Sequence, residues 1–344
     1  MESSRNRPRQ RDGQATATNS GPAGLTPTRM AATPLPQAGV ALAVFSFGNL
    51  ASSLLPDSWW GPVHVACAVL GLALLAPVLA RHGIAIRDAS VRATLASDYR
   101  NPMIAPLATT MPMALITLGT YFVRFGSPGV RCAQIIWWCG VLCIASLMMY
   151  FAWQFIVRDF RLIAVCPAWL VGFVGILVAA VTSGTVGLDW AGHVIFVIGF
   201  AIDIVMLVLI SHRLAWHGLP AAIRPTLTIY SAPISLLVAS YFSTATDHDP
   251  LFTLVLLTCS QLLFAFVAIL LPWMLTTPAS PAYAAFTFPL VITATALHDA
   301  LTIFKDAGWH VPSWAYWLQH GETLLAGVMI VVGMAAFRHV HESL

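Results

Sequence analysis

The sequence predicts an all-α integral membrane protein: ten transmembrane helices, paired as five helical hairpins around a central pore, with odd helices inner and even helices outer. Three observations predict it. Of 344 residues, 58% are hydrophobic and 9% carry Asp, Glu, Lys or Arg, with a mean hydropathy of +0.79, whereas a soluble chain carries roughly a quarter charged residues. Ten stretches have the length and apolarity of a bilayer crossing, about 20 residues each. Odd-numbered helix starts recur about every 60 residues, five times over. This composition argues against a soluble enzyme, a disordered scaffold or a nucleic-acid binder.

Residues 1–34 are rich in Arg, Thr, Gly and Pro without apolar periodicity, so they predict a disordered tail. No apolar core follows the basic start before Leu35, which speaks against a signal peptide. The ten predicted spans are 36–56, 61–81, 101–123, 132–156, 161–183, 190–212, 224–242, 250–273, 283–304 and 313–337. They define a membrane domain over 35–338, followed by a short tail at 339–344. An even number of crossings places both ends on one side. Fourteen Lys and Arg fall on that side and three on the other, so both termini are expected in the cytoplasm. Trp59, Trp60, Trp153, Trp190, Trp273, Trp309 and Trp314 lie near span ends, where interfacial anchors belong.

The prolines follow the hairpin period. Pro112, Pro167, Pro233 and Pro289 lie in predicted helices three, five, seven and nine, whereas the even helices carry Pro77 and Pro272 near their cytoplasmic ends. Proline removes a donor and frees a carbonyl, and in lipid such groups need protein or a water-filled cavity. Broken helices therefore belong inside, around a passage; simple bending for packing is the alternative. The freed carbonyls favour cations, and the N-terminal ends of the restarting helices favour anions. No Lys or Arg is expected within the ring, which suits weak binding in a conduit.

Ionisable residues within spans are costly and hence candidates for function. Asp203 and Glu322 fall on even helices and are expected to be structural groups paired across helices. His64 and His193 lie near helix starts. His298 and Asp299 fall on helix nine toward its exterior end and are candidates for proton-linked transport; a water-exposed helix end is the alternative for Asp299. The six cysteines, Cys67, Cys132, Cys139, Cys143, Cys166 and Cys259, lie in apolar stretches and are expected to be small buried hydrophobes. His339-Val340-His341 offers no closed metal site, and no metal or cofactor is expected. Phosphate-loop, His-Glu-x-x-His, Cys-x-x-Cys and Gly-x-Ser-x-Gly motifs are absent, so an enzyme ranks below a transporter.

Four segments carry a family resemblance. Arg213 to Tyr241, RLAWHGLPAAIRPTLTIYSAPISLLVASY, resembles the helix six to seven region of the tellurite-resistance/dicarboxylate transporter family, which includes TehA-type proteins and SLAC1-type anion channels. Asn101-Pro102 with MIAPLATTMPMALITLG is similar to the start of its helix three, with Asn where His is usual. Cys166-Pro167-Ala168-Trp169, leading to Gly172 and Gly175, resembles its fifth helix, and Ala285-Phe286-Thr287-Phe288-Pro289-Leu290 its ninth.

The resemblance implies a ten-helix subunit of a homotrimer in the bacterial inner membrane. Each subunit has its own pore for chloride, nitrate, sulfite, tellurite or C4-dicarboxylate, closed by a helix-nine phenylalanine that corresponds to Phe288. Phe288 directly precedes Pro289, where local distortion can aim a ring across the axis, and a hydrophobic constriction can close a pore by excluding water. Phe286 points elsewhere on the helix. The expected function is a small-anion channel or channel-like exporter; a proton-coupled carrier of C4-dicarboxylates or sulfite is the alternative.

Overall fold

The computed structural model describes residues 31–343. Most of the predicted N-terminal tail, and the side chain of His341 in the C-terminal His-Val-His, lie outside the described residues. Twelve α-helices follow one another among the described residues: α1 Gln37–Leu54, α2 Asp57–Arg87, α3 Ala89–Tyr99, α4 Thr110–Thr120, α5 Gly126–Ala152, α6 Ala168–Val174, α7 Leu177–Val186, α8 Asp189–His217, α9 Ala232–Thr244, α10 Pro250–Met274, α11 Phe288–Asp306 and α12 Ser313–Ser343. Segments of 3-10 helix precede α4 (Ala105–Thr109), α9 (Ala221–Ser231) and α11 (Pro281–Phe286).

Eight helical runs are long and apolar enough to cross a membrane, or nine if α6 and α7, bent by 45°, form one crossing. One of the eight, Ala105–Arg158, has 54 residues, about 80 Å at helical rise and far more than a bilayer is thick. It doubles back at Gly126, whose φ of 72° favours glycine. Beyond the turn, Gly140 of α5 lies against Ile116 and the Pro112 carbonyl of α4, and Gly119 lies against Ala133 and Ile136. Gly140 has no Cβ because Ile116 occupies its place, which lets the two helices approach closely.

Burial alternates along the chain. The runs through α1, α9 and α11 are 67%, 72% and 83% buried over their most apolar windows; those through α2, α8, α10 and α12 are 28%, 28%, 28% and 39% buried. α6 and α7 are buried along most of their length. A helix buried all round belongs to the middle of a bundle, and one with half its apolar surface exposed belongs at the rim. The chain thus alternates central and peripheral helices. Peripheral helices expose large apolar side chains, such as Ile135, Val208, Ile269 and Leu324, and Trp59, Trp153, Trp190 and Trp314 are exposed.

Helix ends follow local chemistry. Gly187 (φ 72°) ends α7, with the Leu188 amide bonded to the Ser183 carbonyl at 2.9 Å, a glycine-terminated helix end. Asp88 caps α3 and Asp249 caps α10, each carboxylate accepting from two backbone amides. The Asp88 carboxyl is held below its ordinary range by the Ser90 hydroxyl, then by the Ser90 and Val91 amides. α3 is joined to the bundle by Arg81, which pairs with Asp98 at 2.8 Å and donates to the Thr33 carbonyl at 3.0 Å. His82 lies 3.1 Å from the Tyr99 hydroxyl, whose pKa burial raises to about 12.

The cysteines differ from expectation. Among them only Cys166 is buried, while Cys132, Cys139 and Cys259 are exposed on peripheral helices. An apolar stretch in a membrane protein has two apolar destinations, the core and the lipid-facing rim, and these thiols sit on the rim.

Candidate functional site

The four prolines singled out by the period all sit at helix starts. Pro112 is the third residue of α4, Pro167 immediately precedes α6, and Pro233 and Pro289 are the second residues of α9 and α11. Pro36 holds the same position before α1. The first turn of an α-helix has amides without intrahelical partners, so a missing N–H costs nothing there and the fixed φ favours the helix. The central helices therefore switch from 3-10 or irregular backbone to α-helix at these points, instead of kinking a continuous helix.

Among the switch points lies a narrow apolar cavity, whose wall includes Leu42, Met113, Val174, Ile229, Leu236 and Phe288. Pro36, Pro233 and Pro289 also border it, whereas Pro112 is buried toward Gly140 of α5 and Pro167 is buried outside the cavity wall. Its hydroxyls turn away from the space: Thr110 donates to the Leu107 carbonyl at 2.6 Å and Thr226 to the Ile223 carbonyl at 2.6 Å. No charged side chain borders it. The starts of α1, α4, α9 and α11 face this space, but their first amides are engaged: those of Gln37, Ala38 and Gly39 bond to the carbonyls of residues 34–36, that of Ala232 to Ile229, and those of Leu290 and Val291 to Thr287, which leaves the helix dipoles as the cavity's main electrostatic feature.

A second cavity, of about 1520 Å³ empty volume, lies beyond the first and is polar. Serine and threonine hydroxyls from α1, α4, α7, α9 and α11 border it, with Asn49, His64, His298 and Asp299. Asn49 donates to Thr120 at 3.0 Å and lies 3.3 Å from His64, whose ring stacks on Tyr121 at 3.7 Å. Across the space, His298 Nδ1 lies 2.8 Å from Gln319 Nε2 of α12.

Two side chains are common to both walls, Phe288 and Leu236. They are 8% and 3% exposed, and between them they separate the apolar from the polar space. Phe288 opens α11 directly after Thr287, whose φ of −96° and ψ of −82° are not helical. The Thr287 hydroxyl donates to the Ala284 carbonyl at 2.7 Å, which fixes this corner. Phe286, two residues earlier, is fully buried edge-on against Tyr283 at 5.0 Å and borders neither cavity.

Residues 36–340 match the profile of the SLAC1 family, described as voltage-dependent anion channel. The chain belongs to the SLAC1 family. It is a multi-pass membrane protein of an anion channel or transporter class. No individually curated protein shows a significant match to it.

Within this SLAC1-family chain, the remaining ionisable candidates separate by position. His298 and Asp299 border the polar cavity, as does His64. Asp203 and Glu322 are buried on peripheral helices and border neither cavity. The expected pairing across helices is not seen for Asp203, whose carboxyl oxygens have no hydrogen-bond partner among the described residues; Glu322 lies against Gln261 without a hydrogen bond of ordinary geometry. Sequence reasoning missed Leu236, Asn49 and Gln319. A leucine in an apolar helix carries no signal. Gln319, however, stands one turn before Glu322, and that pair of polar residues within a predicted span was a readable signal.

Other buried polar groups serve the breaks. Arg213 of α8, 2% exposed, donates through Nη2 to the Ile163 carbonyl at 2.9 Å and through Nη1 to the Gly218 carbonyl. Ile163 lies in the irregular stretch before α6, so a guanidinium from a peripheral helix satisfies a carbonyl that has no helical partner.

Proposed function

We propose that the chain is a subunit of a small-anion channel whose path runs through the two cavities and is closed by Phe288 with Leu236. The observation that carries this reading is the shared wall: one aromatic and one aliphatic side chain stand between an apolar and a polar space. A hydrophobic septum of this kind blocks ions by excluding water. Counting the doubled-back run Ala105–Arg158 as two crossings and the bent pair α6/α7 as one gives ten, in five hairpins, with the central members forming the inner ring. Pro233 and Pro289 line the path, and Pro112 and Pro167 set the helix starts behind it. The excess of Lys and Arg on one side supports cytoplasmic termini, the family resemblance supports a bacterial inner membrane, and in that orientation the apolar cavity is the cytoplasmic one. A homotrimer with one path per subunit is the assembly implied by the family resemblance.

In the apolar cavity, helix dipoles favour anions over cations. Four helix starts face the apolar cavity, no acidic group borders it, and its hydroxyls are engaged with carbonyls. Without a fixed cation, binding is weak and exit is fast. The reading is tested by recording current from purified protein in planar bilayers under a chloride or nitrate gradient, wild type beside Phe288→Ala. A mutant current reversing near the anion's Nernst potential supports it.

The presence of His298 and Asp299 in the polar wall favours a second reading, a proton-coupled carrier of sulfite or C4-dicarboxylates. Silent bilayers together with pH-dependent uptake into liposomes support the carrier. An Asp299→Asn protein with unchanged pH dependence removes Asp299 from that role.

A further inference from the structure

Behind the septum, four hydroxyl side chains meet where three helices touch: Ser231 at the end of the 3-10 segment before α9, Ser235 on α9, Ser260 on α10 and Thr293 on α11. All four are fully buried, and none borders either cavity. They are closed off from the path, so they are not ligands for a passing ion, and each hydroxyl costs free energy unless the protein bonds it. Alanine or valine would fill the same space, so the bonds themselves call for a reason beyond packing.

Their protons can be placed. Ser235 Oγ lies 2.6 Å from the Ser231 carbonyl, its shortest contact, and donates there. With that proton engaged, Ser260 Oγ at 2.8 Å is the donor to Ser235. The single hydroxyl proton of Thr293 lies between two carbonyls, that of Pro289 at 2.8 Å and that of Ser231 at 3.2 Å, and Ser235 Oγ stands 3.3 Å from Thr293 Oγ1. Donors from α9 and α11 thus converge on the Ser231 carbonyl.

These atoms flank both halves of the septum. Ser235 adjoins Leu236, and Pro289, whose carbonyl Thr293 holds, adjoins Phe288. Thr293 therefore bridges the first turn of α11, which carries Phe288, to the start of α9, which carries Leu236. The corner before Phe288 has little else to hold it, because Thr287 is not helical and Pro289 has no amide hydrogen. A threonine bonded only to the carbonyl four residues earlier acts within its own helix; the second acceptor makes Thr293 a link between two helices.

We propose that Thr293, with Ser235, is a positioning residue of the closed septum: the two hydroxyls clamp the start of α11 to the start of α9 through the Ser231 carbonyl and so hold the Phe288 ring across the path. The clamp rests on reading Phe288 and Leu236 as the septum, and it acts through Phe288 without touching an ion.

The full chain is tested in lipid nanodiscs with 4-fluorophenylalanine in place of Phe288, where fluorine-19 NMR reads the ring, beside bilayer recordings of the unlabelled protein. Wild type gives one resonance and a low basal current. Thr293→Val keeps the shape and removes the hydroxyl; it splits or broadens the resonance and raises basal current about fivefold, the factor of one net hydrogen bond. Thr293→Ser, which keeps the hydroxyl and loses the methyl, restores both, whereas a role in packing alone makes serine the worse replacement. Ser235→Ala removes the other donor and moves the resonance the same way, which carries the test should Thr293→Val fail to fold. A folded Thr293→Val protein with wild-type resonance and current, or a Thr293→Ser protein that behaves like Thr293→Val, overturns the clamp. Failure of the gate reads differently. A silent Phe288→Ala protein, with the resonance still split by Thr293→Val, removes the gate and leaves the clamp; a conducting Phe288→Ala protein, with the resonance unmoved by Thr293→Val and Ser235→Ala, removes the clamp and leaves the gate.

Discussion

Truncating Phe288 to Ala tests the septum most directly, and the structure sets the scale of the effect. The ring is 8% exposed yet borders empty space on two sides. Its loss therefore costs stability near the lower end for a buried phenylalanine, about 3 kcal/mol, and the protein should remain folded with a lowered melting temperature. Stripping hydration from an ion costs several kcal/mol in a low-dielectric environment. If the ring contributes about 2.7 kcal/mol of that barrier, conductance rises about a hundredfold, because each 1.36 kcal/mol is tenfold in rate. Leu236, 3% exposed, remains as the other half of the septum, so opening is incomplete. Leu236→Ala alone gives a smaller rise, and the double mutant exceeds the product of the two because the side chains obstruct one passage. The assay is single-channel recording beside size-exclusion and melting profiles. A monodisperse, folded Phe288→Ala protein with wild-type current would falsify the gate and return Phe288 to ordinary packing.

Three other perturbations address the scaffold. Arg213→Met leaves the Ile163 and Gly218 carbonyls without their donor and should cost about 2–4 kcal/mol, read as a lowered melting temperature; Arg213→Lys recovers part of it, since an ammonium lacks the fork needed to serve both carbonyls. Gly140→Ala drives a Cβ into Ile116 and should destabilise the α4–α5 contact by about 1–3 kcal/mol; a neutral result in thermal melts contradicts the close approach. The Asp88 cap should be pH-dependent. Its carboxyl is held low by the bonds it accepts from Ser90 and Val91, so its stabilisation is present above the carboxyl's unfolded pKa and lost as pH falls through the lower folded value. Amide exchange at Ser90 and Val91, corrected for intrinsic rates, should show protection lost in acid for wild type, while Asp88→Asn, which retains a capping oxygen, should show a flat profile.

Much of the fold was legible because bilayer thickness ties span length to apolar run length. That rule located every long helix, including the doubling back between α4 and α5, where Arg124, Gly126, Ser127 and Pro128 interrupt the apolar run. It missed α3, a helix with only Val91 and Leu95 buried, because an eleven-residue helix outside the spans leaves too short a pattern. The prolines fall on buried helices, but at their starts and not at kinks within them. Whether a proline kinks a helix or starts one depends on whether the preceding turn is α or 3-10, and tertiary packing decides that. The cysteines went astray for a related reason: composition distinguishes water from oil, not core from lipid-facing rim. At the site, Phe288 came from resemblance and His298 and Asp299 from the cost of ionisable groups in a span. Leu236 and Gln319 acquire a role only through what faces them.

The polar bonds between peripheral and central helices bear on any attempt to build a smaller pore. Arg213 of α8 serves the carbonyl of Ile163, Trp137 of α5 donates to Ala179 of α7 at 3.0 Å, Gln134 of α5 to Val186 at 2.9 Å, and the Ser260 hydroxyl of α10 meets Ser235 of α9 at 2.8 Å. A five-helix minimal barrel, made by excising the outer helices and grafting new loops, would lose these partners at once. Its walls would then present bare carbonyls and hydroxyls to hydrocarbon. The outer layer is thus part of the insulation of the inner one, and a redesign of this architecture has to carry both layers or replace each donor individually.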